Sequence, residues 1–301
     1  MTAETKKGHD ESVSTYIFDS EGKHGGAREK VAELIRYRYL LRNLVKRDLK
    51  ARYKNSALGI LWSLLNPLAM MLVFTLLFSV LGRGGSTRQY AIFVLVGIIP
   101  WNFFAGSMNS GTTSVVGNSS LVKKVYFPRE LLPFSSLLSH LVNFAIAFVV
   151  LVIFLYVFGL GLTVHALWVP AILVTQIIFT LGLVLLLGGL NVFYRDVMMI
   201  LEVVLLAWFF LTPVFYSLDF FGETATLFGI TFNPAQVMRW INPMASIIDG
   251  YRTVLWGTPE SLGPVGMNPA YLFRTFVTAV VILIAGYFLF SRLDHKFGER
   301  L

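Results

Sequence analysis

The sequence predicts an all-α integral membrane protein with six transmembrane helices, an amphipathic N-terminal interface helix and two short re-entrant helices in the last external loop. Three observations predict it. Of 301 residues, 55% are hydrophobic and only 14% are charged, against about 25% charged in an ordinary globular chain. Six apolar stretches each reach about 20 residues, the length that crosses a hydrocarbon core of ~30 Å as a helix. With six spans and the N-terminus inside, 20 of the 25 Lys and Arg residues fall on the inner side, so both termini are read as cytoplasmic. A lipid-exposed backbone must bond to itself, which favours helices for the crossings.

Taken in order, residues 1–27 are rich in Lys, Glu, Asp, Ser, Gly and His and have little to bury, as expected of a disordered cytoplasmic tail. No apolar core with a cleavage site marks a signal peptide there. Residues 28–56 read as the interface helix, with Val31, Leu34, Ile35, Leu41, Leu44, Val45 and Leu49 near helical spacing. Ten Lys or Arg stand among three acids between Arg28 and Lys54, so the apolar face lies on the acyl chains and the cations meet lipid phosphate. Residues 57–301 form the six-span domain, with crossings near Leu58–Leu81, Tyr90–Gly111, Leu131–Phe158, Leu167–Val192, Val197–Tyr216 and Tyr271–Phe290.

Two connections stand out. The inner loop 112–130 carries Lys123, Lys124 and Arg129 together with Leu121, Val122, Val125 and Phe127. A polar surface segment with its own apolar knobs suits a docking element; the alternative is a short interfacial helix that only turns the chain. The external connection 217–270 is too apolar for a free loop and too broken, at Pro234, Pro243, Pro259 and Pro264, to span. Two short helices are expected near Pro234–Ile241 and Ala245–Trp256, dipping into the outer leaflet beside a cavity.

The function classes narrow next. The net charge of +8 sits beside the spans, so anionic lipid is the expected partner and nucleic acid is not. Without cysteine there is no disulfide, thiolate metal site or Cys nucleophile. No phosphate loop G-x-x-x-x-G-K-[ST], H-E-x-x-H or G-x-S-x-G occurs, so the chain alone is not expected to hydrolyse ATP, and no metal or cofactor of its own is expected. A lipid-processing enzyme would need clustered acids, whereas Asp219, Glu223, Asp249 and Glu260 are scattered. Within the spans the ionisable residues are His140, Glu202 and the Arg195–Asp196 pair. Glu202 is read as a structural carboxylate satisfied by Arg195 or another interfacial cation, and His140 as a packed histidine bonded to a neighbouring helix, with a proton relay as the alternative.

Lys54-Asn55-Ser56-Ala57-Leu58-Gly59, followed by Trp62-Ser63-Leu64-Leu65-Asn66-Pro67, resembles the opening of the first span of ABC-2 type permeases that export polysaccharides. Leu121 to Glu130, LVKKVYFPRE, is similar to their inner segment after span two. Tyr194-Arg195-Asp196 with Thr212-Pro213-Val214-Phe215-Tyr216 resembles their fifth-span pattern, and Asn242-Pro243 with Tyr251-Arg252 the end of their re-entrant region. The likeness runs from about Arg28 to the C-terminus.

The resemblance implies a half-transporter in a bacterial cytoplasmic membrane. Two copies would enclose a channel, and two separate ATPase subunits binding ATP and Mg²⁺ would dock beneath. The cargo would be a polyprenyl-pyrophosphate-linked polysaccharide such as an O-antigen or a teichoic acid; a small lipid or drug-like compound is the alternative. Lys123, Lys124, Tyr126, Phe127, Pro128, Arg129 and Glu130 would couple to the ATPase. Arg47, Lys50, Arg52 and Lys54 would either guide the lipid pyrophosphate or only anchor the helix. Trp62, Trp101, Phe104, Phe209 and Trp240 are the candidates for lining the channel, where rings would offer sliding contacts to sugars.

Overall fold

The computed structural model describes residues 36–56, 58–80, 89–218, 224–227, 230–258, 261 and 263–301. Tyr39–Leu301 forms one compact unit, distinct from residues up to Arg38. The tail and the beginning of the interface helix, with Val31, Leu34 and Ile35, lie outside the described residues, as do Asp219, Glu223 and Glu260.

The helix expected over residues 28–56 is α1, Arg38–Tyr53, with Leu44 buried. A 3-10 turn, Gly59–Leu61, leads into α2, Trp62–Val80. Then come α3, Tyr90–Gly117, the short α4, Ser119–Lys124, and α5, Leu131–Val157. Gly159 at φ 77° turns the chain after α5, a left-handed conformation that favours glycine past a helix end. The next helices are α6, Val169–Phe193, and α7, Asp196–Leu211. The connection after α7 holds strands β1, Ala225–Leu227, and β2, Ile230–Phe232, then α8, Pro234–Ile241, and α9, Pro243–Leu255. The chain ends in α10, Pro269–Asp294, and α11, Phe297–Arg300.

Among the described residues five helices are long and apolar enough to cross a membrane: α2, α3, α5, α6 with its preceding 3-10 turn, and α10. The expected fifth span is shorter. Its 16 residues rise roughly 24 Å at 1.5 Å each. Thr212 turns extended because a residue before proline, here Pro213, is pushed out of the α region.

α3 corrects the sequence reading in the other direction by running six residues past Gly111 to Gly117. Thr113 and Ser114 return their hydroxyls to carbonyls one turn back, and the Asn118 amide donates to Ser114 O at 2.7 Å. The polar run therefore finishes the helix instead of starting the loop. A short hairpin sets Thr226 opposite Thr231, and these two three-residue strands leave the fold class all-helical.

α3 is the core, buried over 78% of its apolar window, whereas α2 is buried over only 6%. α6 and α10 meet backbone to backbone: a Cβ added at Gly286 would collide with the Gly182 carbonyl, and one at Gly182 would lie 2.6 Å from Leu283 N. Small residues permit this close helix approach. Across the centre, the buried Gln176 amide donates to Pro100 O at 2.8 Å and its carbonyl accepts from the Tyr251 hydroxyl at 3.2 Å. That network ties α3, α6 and α9 through polar groups that would be costly to leave unpaired.

Candidate functional site

The segment expected as a docking element comprises α4 and the residues after it, up to 130. Val122 and Phe127 are buried at 5% exposure, while Val125 and Tyr126 stand out at 50% and 83%. Lys123 and Lys124 are also exposed. Alternate knobs thus anchor the segment and present an edge. Arg129 donates to the backbone carbonyl of Asp294 and to its carboxylate at 3.2 Å, and lies 5.9 Å from the Phe297 ring. Phe297 is fully buried against Phe193 and Phe290. Arg129 therefore holds the segment to the end of α10 and the start of α11. No motif in the sequence announced Asp294 and Phe297 as its partners. Pro128 and Glu130 are half-buried at the turn into α5.

A polar cleft lies where the end of α1 meets α3 and α5. Arg52 reaches His140, with its guanidinium 2.7 Å from Nε2 and 3.4 Å from Nδ1. Ser110 Oγ is 3.0 Å from the same Nε2. The Tyr53 hydroxyl donates to Asn143 Oδ1 at 2.7 Å. The ring of His140 fills the space over Gly106, which has no side chain to oppose it. His140 is thus packed and hydrogen-bonded. Of the four predicted cations, Arg47 and Arg52 line this cleft, and Lys50 and Lys54 do not.

The non-helical segment after α7 is held by three side chains. Asn242 accepts from the Trp208 indole at 2.8 Å and donates to Thr212 Oγ1 at 2.9 Å while capping α9. The buried Arg252 donates to Tyr216 O at 2.9 Å and to Val214 O, its guanidinium 3.7 Å from the Phe93 ring centre. The Tyr90 hydroxyl donates to Phe215 O. Carbonyls released by the helix break thereby regain partners. Arg239 and Asp249 form an ion pair at 2.9 Å beside a cavity of about 170 Å³.

Burial divides the predicted channel aromatics. Trp101, Phe104 and Phe209 are at most 8% exposed, with Trp101 5.5 Å from both other rings. They pack within the chain because neighbouring rings enclose them. Trp62 and Trp240 face outward at 55% and 66% exposure, Trp240 with the Arg274 guanidinium 4.5 Å away. Glu202 also differs from expectation. It is exposed on α7, and no ion pair joins it to Arg195 among the described residues. Seven residues of helix separate the two by roughly 10.5 Å of rise, too far for a direct contact along that face. Glu202 shares its exposed stretch with Met199, Val203 and Leu206.

Among the described residues no group of three His, Asp or Glu side chains gathers to hold a metal ion. The ABC-2 type transporter family matches residues 39–256. The O-antigen export system permease protein RfbA of Myxococcus xanthus is 33% identical over 271 residues, covering 90% of this chain and 98% of that protein. A Klebsiella pneumoniae protein of the same name is 31% identical over 267 residues, covering 87% and 95%. A second from Klebsiella pneumoniae is 30% identical over 266 residues, with the same coverage.

Proposed function

The chain belongs to the ABC-2 type transporter family, and from there we propose that it is the membrane subunit of an exporter for a polyprenyl-pyrophosphate-linked polysaccharide of the O-antigen kind. A separate ATPase, present in two copies and binding ATP and Mg²⁺, drives it. Relatives named as O-antigen export permeases match nearly their whole length, which supports the substrate class.

The observation that carries the channel reading is the open face of α2 and α7. The two helices are neighbours, with Phe74 stacked on Phe215 at 4.8 Å and 6.1 Å from Phe209. Each leaves a polar side chain, Asn66 or Glu202, on its exposed surface. A carboxylate facing lipid costs several kcal/mol unless satisfied. A second copy and a water-filled path beside α7 remove that cost. In this arrangement α7 and the segment through Tyr216 complete a sixth crossing, both termini are cytoplasmic, and α8 and α9 dip into the outer leaflet to close the path. Trp62 and Trp240 remain as the outward rings available to a sugar chain.

Lys123, Lys124 and Tyr126 form the edge on which the ATPase bears, and Phe127 and Arg129 carry its movement into α5 and α10. The test uses inverted membrane vesicles containing the chain, its ATPase and a lipid-linked polysaccharide on the outer surface. ATP should render the glycan resistant to added glycosidase. Unchanged digestion while ATP is consumed at a normal rate would overturn the reading.

A further inference from the structure

Formal charge is nearly absent from the interior of the long helices. α2, α3, α5 and α6 contain no Asp, Glu, Lys or Arg, and α10 carries Arg274 near its start and Arg292 and Asp294 at its end. Arg274 is bonded, to Ser246 Oγ at 3.0 Å and to Arg239 O. Glu202 is the exception. It stands six residues beyond Asp196 on α7, a rise of roughly 9 Å, and its short side chain does not reach back over that distance. It is exposed, and no ion pair satisfies it among the described residues.

A second polar side chain lies level with it. Phe74 of α2 meets Phe209 and Phe215, and Phe78, one turn on, meets Phe215 and Tyr90, so α2 and α7 run side by side in the same direction. Asn66, exposed on α2, precedes Phe74 by roughly 12 Å of rise, and Glu202 precedes Phe209 by roughly 10.5 Å. An amide and a carboxylate therefore share one height on the open face, with apolar residues such as Leu72, Val203 and Leu206 around them.

We propose that Glu202 determines which polymer passes: a hydroxyl-rich, uncharged glycan is admitted, and a polyanion with a phosphate or carboxylate in each repeat is rejected. This rests on the two-copy path of the exporter reading, in which two Glu202 side chains face one lumen. Sugar hydroxyls donate to the carboxylate, and they both donate to and accept from the Asn66 amide. A ring of like charges sets the sign of what a narrow water-filled path conducts. The carrier's single diphosphate meets this charge once, whereas charged repeats meet it throughout export.

The chain contains no cysteine, so Met199→Cys, exposed one turn before Glu202, reports the local potential. The full chain in vesicles, without ATPase, is treated with a trimethylammonium or a sulfonate methanethiosulfonate, each rate divided by that with free cysteine. The cationic reagent should react about tenfold faster, from unit charges ~6 Å apart in water. The preference should vanish in M199C/E202Q, invert in M199C/E202K and persist in M199C/E202D. In vesicles with the ATPase, wild type should export a lipid-linked polymannose in preference to a lipid-linked poly(glycerol phosphate), and E202Q should narrow that ratio several-fold while ATP consumption is unchanged. A thiol that neither reagent reaches, equal rates in the presence of Glu202, or an unchanged polymer ratio in E202Q overturns the proposal. Neither polymer exported, with the charge preference present, overturns the exporter reading on which it rests; polymannose exported without the charge preference overturns the filter alone.

Discussion

Arg252 is the residue on which the segment after α7 depends most. It is 5% exposed and satisfies the carbonyls of Val214 and Tyr216 where α7 has broken. Arg252→Ala leaves both unpaired in a buried site, and detergent-solubilised protein should lose about 3 kcal/mol of stability in thermal unfolding. Arg252→Lys should recover less than half, since a single ammonium lacks the planar fork. Asn242→Ala removes a helix cap as well as the Trp208 and Thr212 bonds and should cost about 1–2 kcal/mol. Residue pairing of this kind was only partly legible. Tyr251-Arg252 and Asn242-Pro243 stood out as motifs, but their partners lie more than 25 positions away and carry no local signal. Glu202 and Arg195 were paired on helical phase alone, without the rise between them. The Asn-Pro pairs at 233–234, 242–243 and 268–269 were legible in principle: each asparagine caps a helix whose first residue is the proline.

Elements follow simpler rules, and the sequence foretold more of them. Long apolar runs fixed α2, α5, α6 and α10 to within four residues and α3 to within six, because membrane length and backbone hydrogen bonding leave few alternatives. α7 was overextended because hydropathy continues through Thr212–Tyr216 whereas Pro213 ends the helix. The inner segment shows how burial sorts one short motif. Phe127→Ala opens a cavity and should lower stability by about 3 kcal/mol, measured by thermal unfolding. Tyr126→Ala should leave stability within ~0.5 kcal/mol yet weaken ATPase association several-fold in a pull-down. Equal effects of the two changes would contradict the anchor-and-edge division. Packing of α6 on α10 gives a sharper contrast. Gly286→Val should abolish the monodisperse peak in size-exclusion chromatography because the side chain has only backbone to displace, whereas Gly117→Ala, with open space around it, should elute unchanged.

For the whole molecule the question is what covers α2 and α7. Their outward apolar residues, among them Leu72, Leu76, Val203 and Phe210, suit lipid or a second copy, and Glu202 favours a surface shared with water and protein. The chain contains no cysteine, so single-cysteine variants have no background. Val203→Cys should form a disulfide-linked dimer when membranes are oxidised, and Ile284→Cys on α10 should not. Hydropathy made the membrane class plain from the sequence, but a span's outward face looks alike whether it meets lipid or a partner, so the assembly was not legible. The central claim, an exporter half driven from below by another chain, is tested most directly by purifying the tagged protein from its native membrane in mild detergent and weighing the intact complex. The account predicts two copies of this chain with two copies of a phosphate-loop ATPase. A stable pair of these chains without any ATPase, under conditions that preserve the pair, would contradict it.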